Sequence, residues 1–159
     1  MTDHDGLFDL SVSRIFDVPA ALIFHAWTDP VTLARWWGPA GPQVPQCELD
    51  LRLGGKFHPA KLDPEGNVLR YRAVFLEIVE NERLVFSDAY IDAWVPSAKP
   101  FMTGIITMRE VGRNTEYTAT ARHWSEEDLK THEDMGFHEH WNETADRLTH
   151  VLAQLKRER

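Results

Sequence analysis

The chain has 159 residues, 43% of them apolar and 26% charged, with a formal net charge of −8. That length reads as a single domain over 1–159 with enough mass to bury a real core, and the balance is that of an ordinary globular protein. The negative charge argues against nonspecific binding to nucleic acid or an anionic membrane, the lone Cys47 excludes an internal disulfide, and no run reaches the eighteen or so apolar residues of a membrane span.

The opening MTDHDGLFDL has no basic segment followed by an apolar run, so no signal peptide is visible and a cytoplasmic location is the default expectation. From Phe8 to Val18, Phe8, Leu10 and Val12 alternate with Asp9, Ser11 and Ser13, the pattern of a half-buried strand. Pro19 fits the first position of a short helix that carries Ala20, Ile23, Phe24 and Trp27 on one face. Thr28-Asp29-Pro30 stops that helix and starts another, with Asp29 as N-cap. Leu33, Trp36 and Trp37 follow, and Gly38-Pro39 ends the element. Three prolines and two glycines between Gly38 and Pro45 make the next loop stiff.

Strands follow. Cys47, Leu49 and Leu51 alternate with Glu48, Asp50 and Arg52; Gly54-Gly55 marks a tight turn or bulge, and Lys56 to Leu62 leads back. Asp63-Pro64-Glu65-Gly66-Asn67 is a turn. Val68 to Val79 places Tyr71, Ala73 and Phe75 opposite Arg70 and Arg72, but its second half is apolar on both sides and its phase stays open. Leu84 to Tyr90 comes after a turn at Glu80-Asn81-Glu82. Ile91, Trp94 and Val95 then form an apolar loop that reads equally as a lid, a partner surface or a segment folded inward. Phe101 to Val111 and Thr115 to Trp124 flank a hairpin turn at Gly112-Arg113-Asn114. On the last strand Tyr117, Ala119, Ala121 and His123 face one way; on its neighbour Met102, Gly104, Ile106 and Met108 do. Small residues there either let a helix approach closely or leave a space.

Ser125 with Asp128 reads as an N-terminal cap. Phe137, Trp141, Ala145, Leu148, Leu152 and Leu155 then recur at steps of three and four, one stripe of a long amphipathic helix. Leu129 and Met135 fall off that stripe, and Gly136 lies at the change of phase, so a shorter leading segment and a kink or break are expected there. The order predicts an α+β protein. Its antiparallel sheet of about six to seven strands curves around the long C-terminal helix, with two short helices after the first strand.

Chemistry is less legible. His132, His138 and His140 crowd with Glu133, Asp134 and Glu139, but only Asp134 and His138 share a helical face cleanly, so a solvated or hydrogen-bonded face is favoured over a pocket role or a metal site. No GxSxG motif or glycine-rich phosphate loop is present, and Cys47 reads as a small buried hydrophobe. His123 points inward and His138 borders the helix stripe; either could meet His58, Asp88 or Tyr71 as an acid–base pair, though an interior histidine satisfied by hydrogen bonds is the favoured reading. The aromatic set falls at element ends and on the stripe, where a sheet gripping a helix tends to enclose an apolar cavity.

The run His123-Trp124-Ser125-Glu126-Glu127-Asp128, continued by His132 to Trp141, resembles the SRPBCC superfamily. Within it the chain is similar to small bacterial proteins named after the C-terminal domain of the activator of the heat-shock-protein-90 ATPase. Further matches are Phe16-Asp17-Val18-Pro19, Trp27-Thr28-Asp29-Pro30, Trp36-Trp37-Gly38-Pro39 and Asp50-Leu51-Arg52-Leu53-Gly54-Gly55; at His140 relatives commonly have glycine. The resemblance implies the helix-grip fold shared with START domains and the birch-pollen allergen, and superfamily members that bind sterols, lipids or polyketides or act as cyclases and hydrolases. The leading expectation is a binder of a small hydrophobic or amphipathic molecule, lined by Trp37, Tyr71, Phe86, Phe101, Met135 and Trp141, with His123 and His138 as polar contacts. No cofactor or metal is expected. An acid–base enzyme and a chaperone-partner module are the alternatives, and a chaperone contact and a homodimer stay open.

Overall fold

The computed structural model describes residues 7–39 and 45–158, so the stiff-loop reading of 38–45 lies largely outside the described residues. β1 (Phe8–Phe16) leads to α1 (Ala20–Thr28) and α2 (Pro30–Trp37). Strands β2 (Glu48–Leu49), β3 (Lys56–His58), β4 (Ala60–Leu62), β5 (Val68–Arg70), β6 (Ala73–Val79), β7 (Arg83–Ser87), β8 (Tyr90–Asp92), β9 (Val95–Pro96), β10 (Met102–Val111) and β11 (Asn114–His123) follow. Helices α3 (Glu126–Asp134) and α4 (Phe137–Arg157) close the chain.

One antiparallel seven-stranded sheet runs β1-β11-β10-β7-β6-β3-β2, and β4–β5 and β8–β9 form two separate ribbons. This is the helix-grip arrangement. The alternation in β11 and β10 is realised as read: Tyr117, Ala119, Ala121 and His123 are buried, as are Met102, Gly104, Ile106 and Met108. Two longer segments are each divided. Pro59, which has no N–H to continue the ladder, separates β3 in the main sheet from β4, which turns to pair with β5. The open phase of β6 has a cause as well: its register with β7 shifts between Phe75 and Glu77, so the side-chain alternation changes face in mid-strand.

The helix ends follow their local chemistry. Asp29 caps α2 by accepting from the Thr32 N–H at 2.9 Å. Pro19 stands one residue ahead of its expected place, as the N-cap of α1, and the Ala20 N–H is taken instead by the Glu110 carboxylate at 2.9 Å. Gly38 is extended rather than left-handed. A side chain there would place Cβ 2.4 Å from the Lys61 Cβ, so the glycine serves a close approach of β4 to the end of α2. Ser125 caps α3 through the Asp128 N–H at 3.1 Å. The break comes at Gly136, left-handed at φ +88°, a conformation with little cost only for glycine.

α4 buries Phe137, Ala145, Leu148, Val151 and Leu152. Its close backbone neighbours are α1, α2, α3 and the edge strand β1. Polar ties hold it there: Arg14 of β1 reaches the Asn142 carbonyl and the Asp146 carboxylate, and Arg147 donates to the Trp36 carbonyl at 3.2 Å. The helix is thus fastened along one side of the sheet, which leaves room over the central strands.

Candidate functional site

That room is a cavity of about 530 Å³, within the range of small-molecule sites. The sheet contributes Val12, Met102, Tyr117, Ala119 and Phe86 to its walls. Trp27, Trp36 and Trp37 close one end, and Phe137, Trp141 and Ala145 of α4 cover it. Val68 and Leu69 on the β4–β5 ribbon and Met135 at the α3–α4 junction also line it; all three are exposed, at its mouth. Lys61, Arg70 and His140 add polar groups there.

The small inward residues have an answer. Gly104 pairs directly with Phe86 on β7, and a Cβ on Gly104 would lie 2.3 Å from the Phe86 ring. The glycine makes the notch in which the ring lies flat, while Ala119 leaves space that stays open. Gly104→Ala should push Phe86 toward the cavity, destabilise the fold by about 1–3 kcal/mol and shrink the volume available to a ligand. Urea midpoints of the two proteins measure the first effect; an unchanged midpoint would mean the ring relaxes elsewhere.

Six of the eight residues picked from sequence line this space: Trp37, Tyr71, Phe86, Phe101, Met135 and Trp141. His123 is buried one layer behind the wall, and His138 is exposed on α4 away from the lining. Of the imidazoles that do line it, His140 is exposed and His132 is buried. It lies on the same face of α3 as Leu129, three residues earlier, and that spacing was the available signal. Trp27, read on one face of the first helix, and Trp36, which precedes Trp37 in the second, line the cavity too.

The polar groups gather at one end. His123 Nδ1 lies 3.0 Å from the Phe8 carbonyl oxygen, and His123 Nε2 lies 2.7 Å from His132 Nδ1. Phe101, Phe137 and Trp141 surround the His132 ring with centroids at 5.0, 5.0 and 5.9 Å. Burial, reinforced by His123 beside it, lowers His132 to about 4. Asp88 accepts from the Phe101 and Met102 N–H groups at 2.8 and 3.1 Å, yet burial outweighs those bonds and raises its carboxyl. The Tyr71 hydroxyl is buried with no hydrogen-bond partner among the described residues, and desolvation pushes its pKa well up. Among the described residues no group of three or more His, Cys, Asp or Glu is placed to hold a metal ion.

Residues 17–153 match the family model described as Activator of Hsp90 ATPase homolog 1-like protein. The chain belongs to this family. Among solved structures it is similar to protein NE0264 from Nitrosomonas europaea, at 36% identity and TM-score 0.86, covering 94% of this chain and 96% of that one. It shares its fold with Ms6760 from Mycobacterium smegmatis, at 22% identity and TM-score 0.78, covering 98% and 96%. It does so too with a protein from Arthrobacter aurescens, at 24% identity and TM-score 0.77, covering 97% and 90%. No match was found among curated proteins. In this member of the Activator of Hsp90 ATPase homolog 1-like family, His140 borders the cavity mouth, and its ring stands 3.4 Å from where a Cβ on Gly136 would be. No helix among the described residues is long and apolar enough to cross a membrane.

Proposed function

We propose that this protein binds a small hydrophobic or amphipathic molecule between the sheet and α4, without turning it over. The observation that carries the reading is a cavity of about 530 Å³ walled by aromatic side chains, into which only a few polar groups converge. The exposed apolar rim of Val68, Leu69 and Met135 suits passage of an apolar molecule. Binding is favoured over catalysis by what the ionisable groups do. His123 is held by a backbone carbonyl rather than a carboxylate, and Asp88 is occupied by two N–H groups. Neither arrangement activates a base.

Two biphenyl probes, 4-phenylphenol and 4-methoxybiphenyl, test the reading. At a hundredfold excess over Kd a ligand that binds only the folded state stabilises it by about 2.7 kcal/mol, a readily measured rise in Tm. Ala119→Leu, which fills the floor of the cavity, should weaken binding at least tenfold while the circular dichroism spectrum stays native. If neither probe shifts Tm nor quenches tryptophan fluorescence, the cavity is not a receptor for apolar molecules.

A further inference from the structure

The two buried histidines fix which way hydrogen bonds run at the wall of the cavity. A backbone carbonyl only accepts, so His123 Nδ1 carries a hydrogen and donates it to Phe8. In the uncharged ring Nε2 then bears none and must accept. Its partner at 2.7 Å, His132 Nδ1, is therefore the donor. A neutral imidazole has one N–H, and that of His132 is spent on His123. His132 Nε2 remains a bare lone pair with no protein donor among the described residues, on a ring that is 8% exposed and lines the cavity. His123, which touches no ligand, acts here as a positioning residue.

Resting on the binding reading above, we propose that His132 Nε2 is an obligate hydrogen-bond acceptor. On that assignment the cavity selects apolar molecules bearing a neutral donor, a phenol or alcohol, over their ether or carboxylate counterparts. The reason lies in the pairing. A hydroxyl placed at Nε2 pairs with an acceptor that a bound molecule cuts off from water, whereas an ether or carboxylate oxygen sets two lone pairs against each other beside Phe101, Phe137 and Trp141. The lowered pKa of His132 agrees with this, since the ring stays without a second proton at neutral pH. Asp88 is the nearby acid, and its two N–H partners keep it from competing for either imidazole.

The test compares 4-phenylphenol with 4-methoxybiphenyl and biphenyl-4-carboxylate by calorimetry at pH 7.5, in the wild type and in His132→Phe. The wild type should prefer the phenol to its methyl ether by about threefold to tenfold, the range of one net neutral hydrogen bond, and His132→Phe should bind the two alike. Independently, nitrogen-15 spectra of the unliganded protein should show His132 Nε2 as an unprotonated, pyridine-like nitrogen and Nδ1 as protonated. This needs no variant to fold. Equal affinity for phenol and ether, tighter binding of the carboxylate, or a proton on Nε2 would overturn the donor selectivity while the cavity still bound apolar molecules. Binding of none of the three compounds would remove both readings together.

Discussion

Phe57→Ala should cost about 3–5 kcal/mol of stability, the range for deleting a fully buried aromatic side chain. Phe57 is 0% exposed on β3, a strand of only three residues with few ladder bonds of its own. Its ring centroid lies 4.4 Å from Phe86, 5.3 Å from Phe75, 5.9 Å from Trp37 and 6.1 Å from Trp27. It is thus the common neighbour of three residues that line the cavity without lining it itself. Deleting the ring takes away buried apolar area and opens a void that these neighbours fill only in part. Trp37 and Phe86 would then tilt, and the binding space would change shape as well as size. Urea titration followed by tryptophan fluorescence should show a large drop in midpoint with the slope unchanged. A loss under 1 kcal/mol would mean that the aromatic layer holds its shape without Phe57.

Acid should weaken the fold between about pH 6.5 and pH 4, with His132 as the main cause. Its folded pKa of about 4 lies below the ordinary value of 6.5, so in this window the unfolded chain takes up a proton that the folded protein refuses. Stability is full above pH 6.5, falls as the pH drops, and levels off once the folded ring also titrates. A difference of about 2.5 pH units corresponds to roughly 3 kcal/mol, an order-of-magnitude figure. His58, lowered by burial despite its bond to the Ile91 carbonyl, adds in the same direction. Asp88 acts oppositely: its raised carboxyl binds a proton more tightly when folded, which returns some stability at the acid end. Denaturation midpoints at pH 7, 6, 5 and 4.5 should therefore fall steeply for the wild type and less steeply for His132→Gln. Parallel curves would show that another group governs the acid limb.

Regular patterns were readable where one face was wet and the other dry. β11 and α4 meet that condition, and their inward residues follow from periods of two and three to four residues. β6 does not, because a bulge between Phe75 and Glu77 breaks the alternation on which any such reading depends. The segment Ile91 to Val95, open among three readings, is an exposed ribbon: Trp94 and Val95 stand in solvent and the Trp94 ring leans on Tyr90. The aromatic lining could be named because large residues on the inner faces of a gripped helix and sheet have few other places to go. The histidines were harder. Helix α3 carries acidic residues on most sides, so His132 looked like part of a wet surface, and only its spacing from Leu129 pointed inward. His138 borders the stripe in sequence, but one residue past Phe137 is about 100° around the helix, enough to carry it into water.

The placing of β1 at the sheet edge has a consequence for how the chain reaches this state. Its one neighbour in the sheet is β11, and Phe8 is tied to His123, 115 residues later. At about 5–20 residues per second, a ribosome takes roughly 5–20 s to deliver the second strand after the first. Through that delay Leu10, Val12 and Phe16 have no ladder to join, and the nascent segment depends on chaperones or on speed of closure to avoid sticking. Such high contact order puts refolding in the millisecond-to-second range rather than the microseconds of a helical bundle.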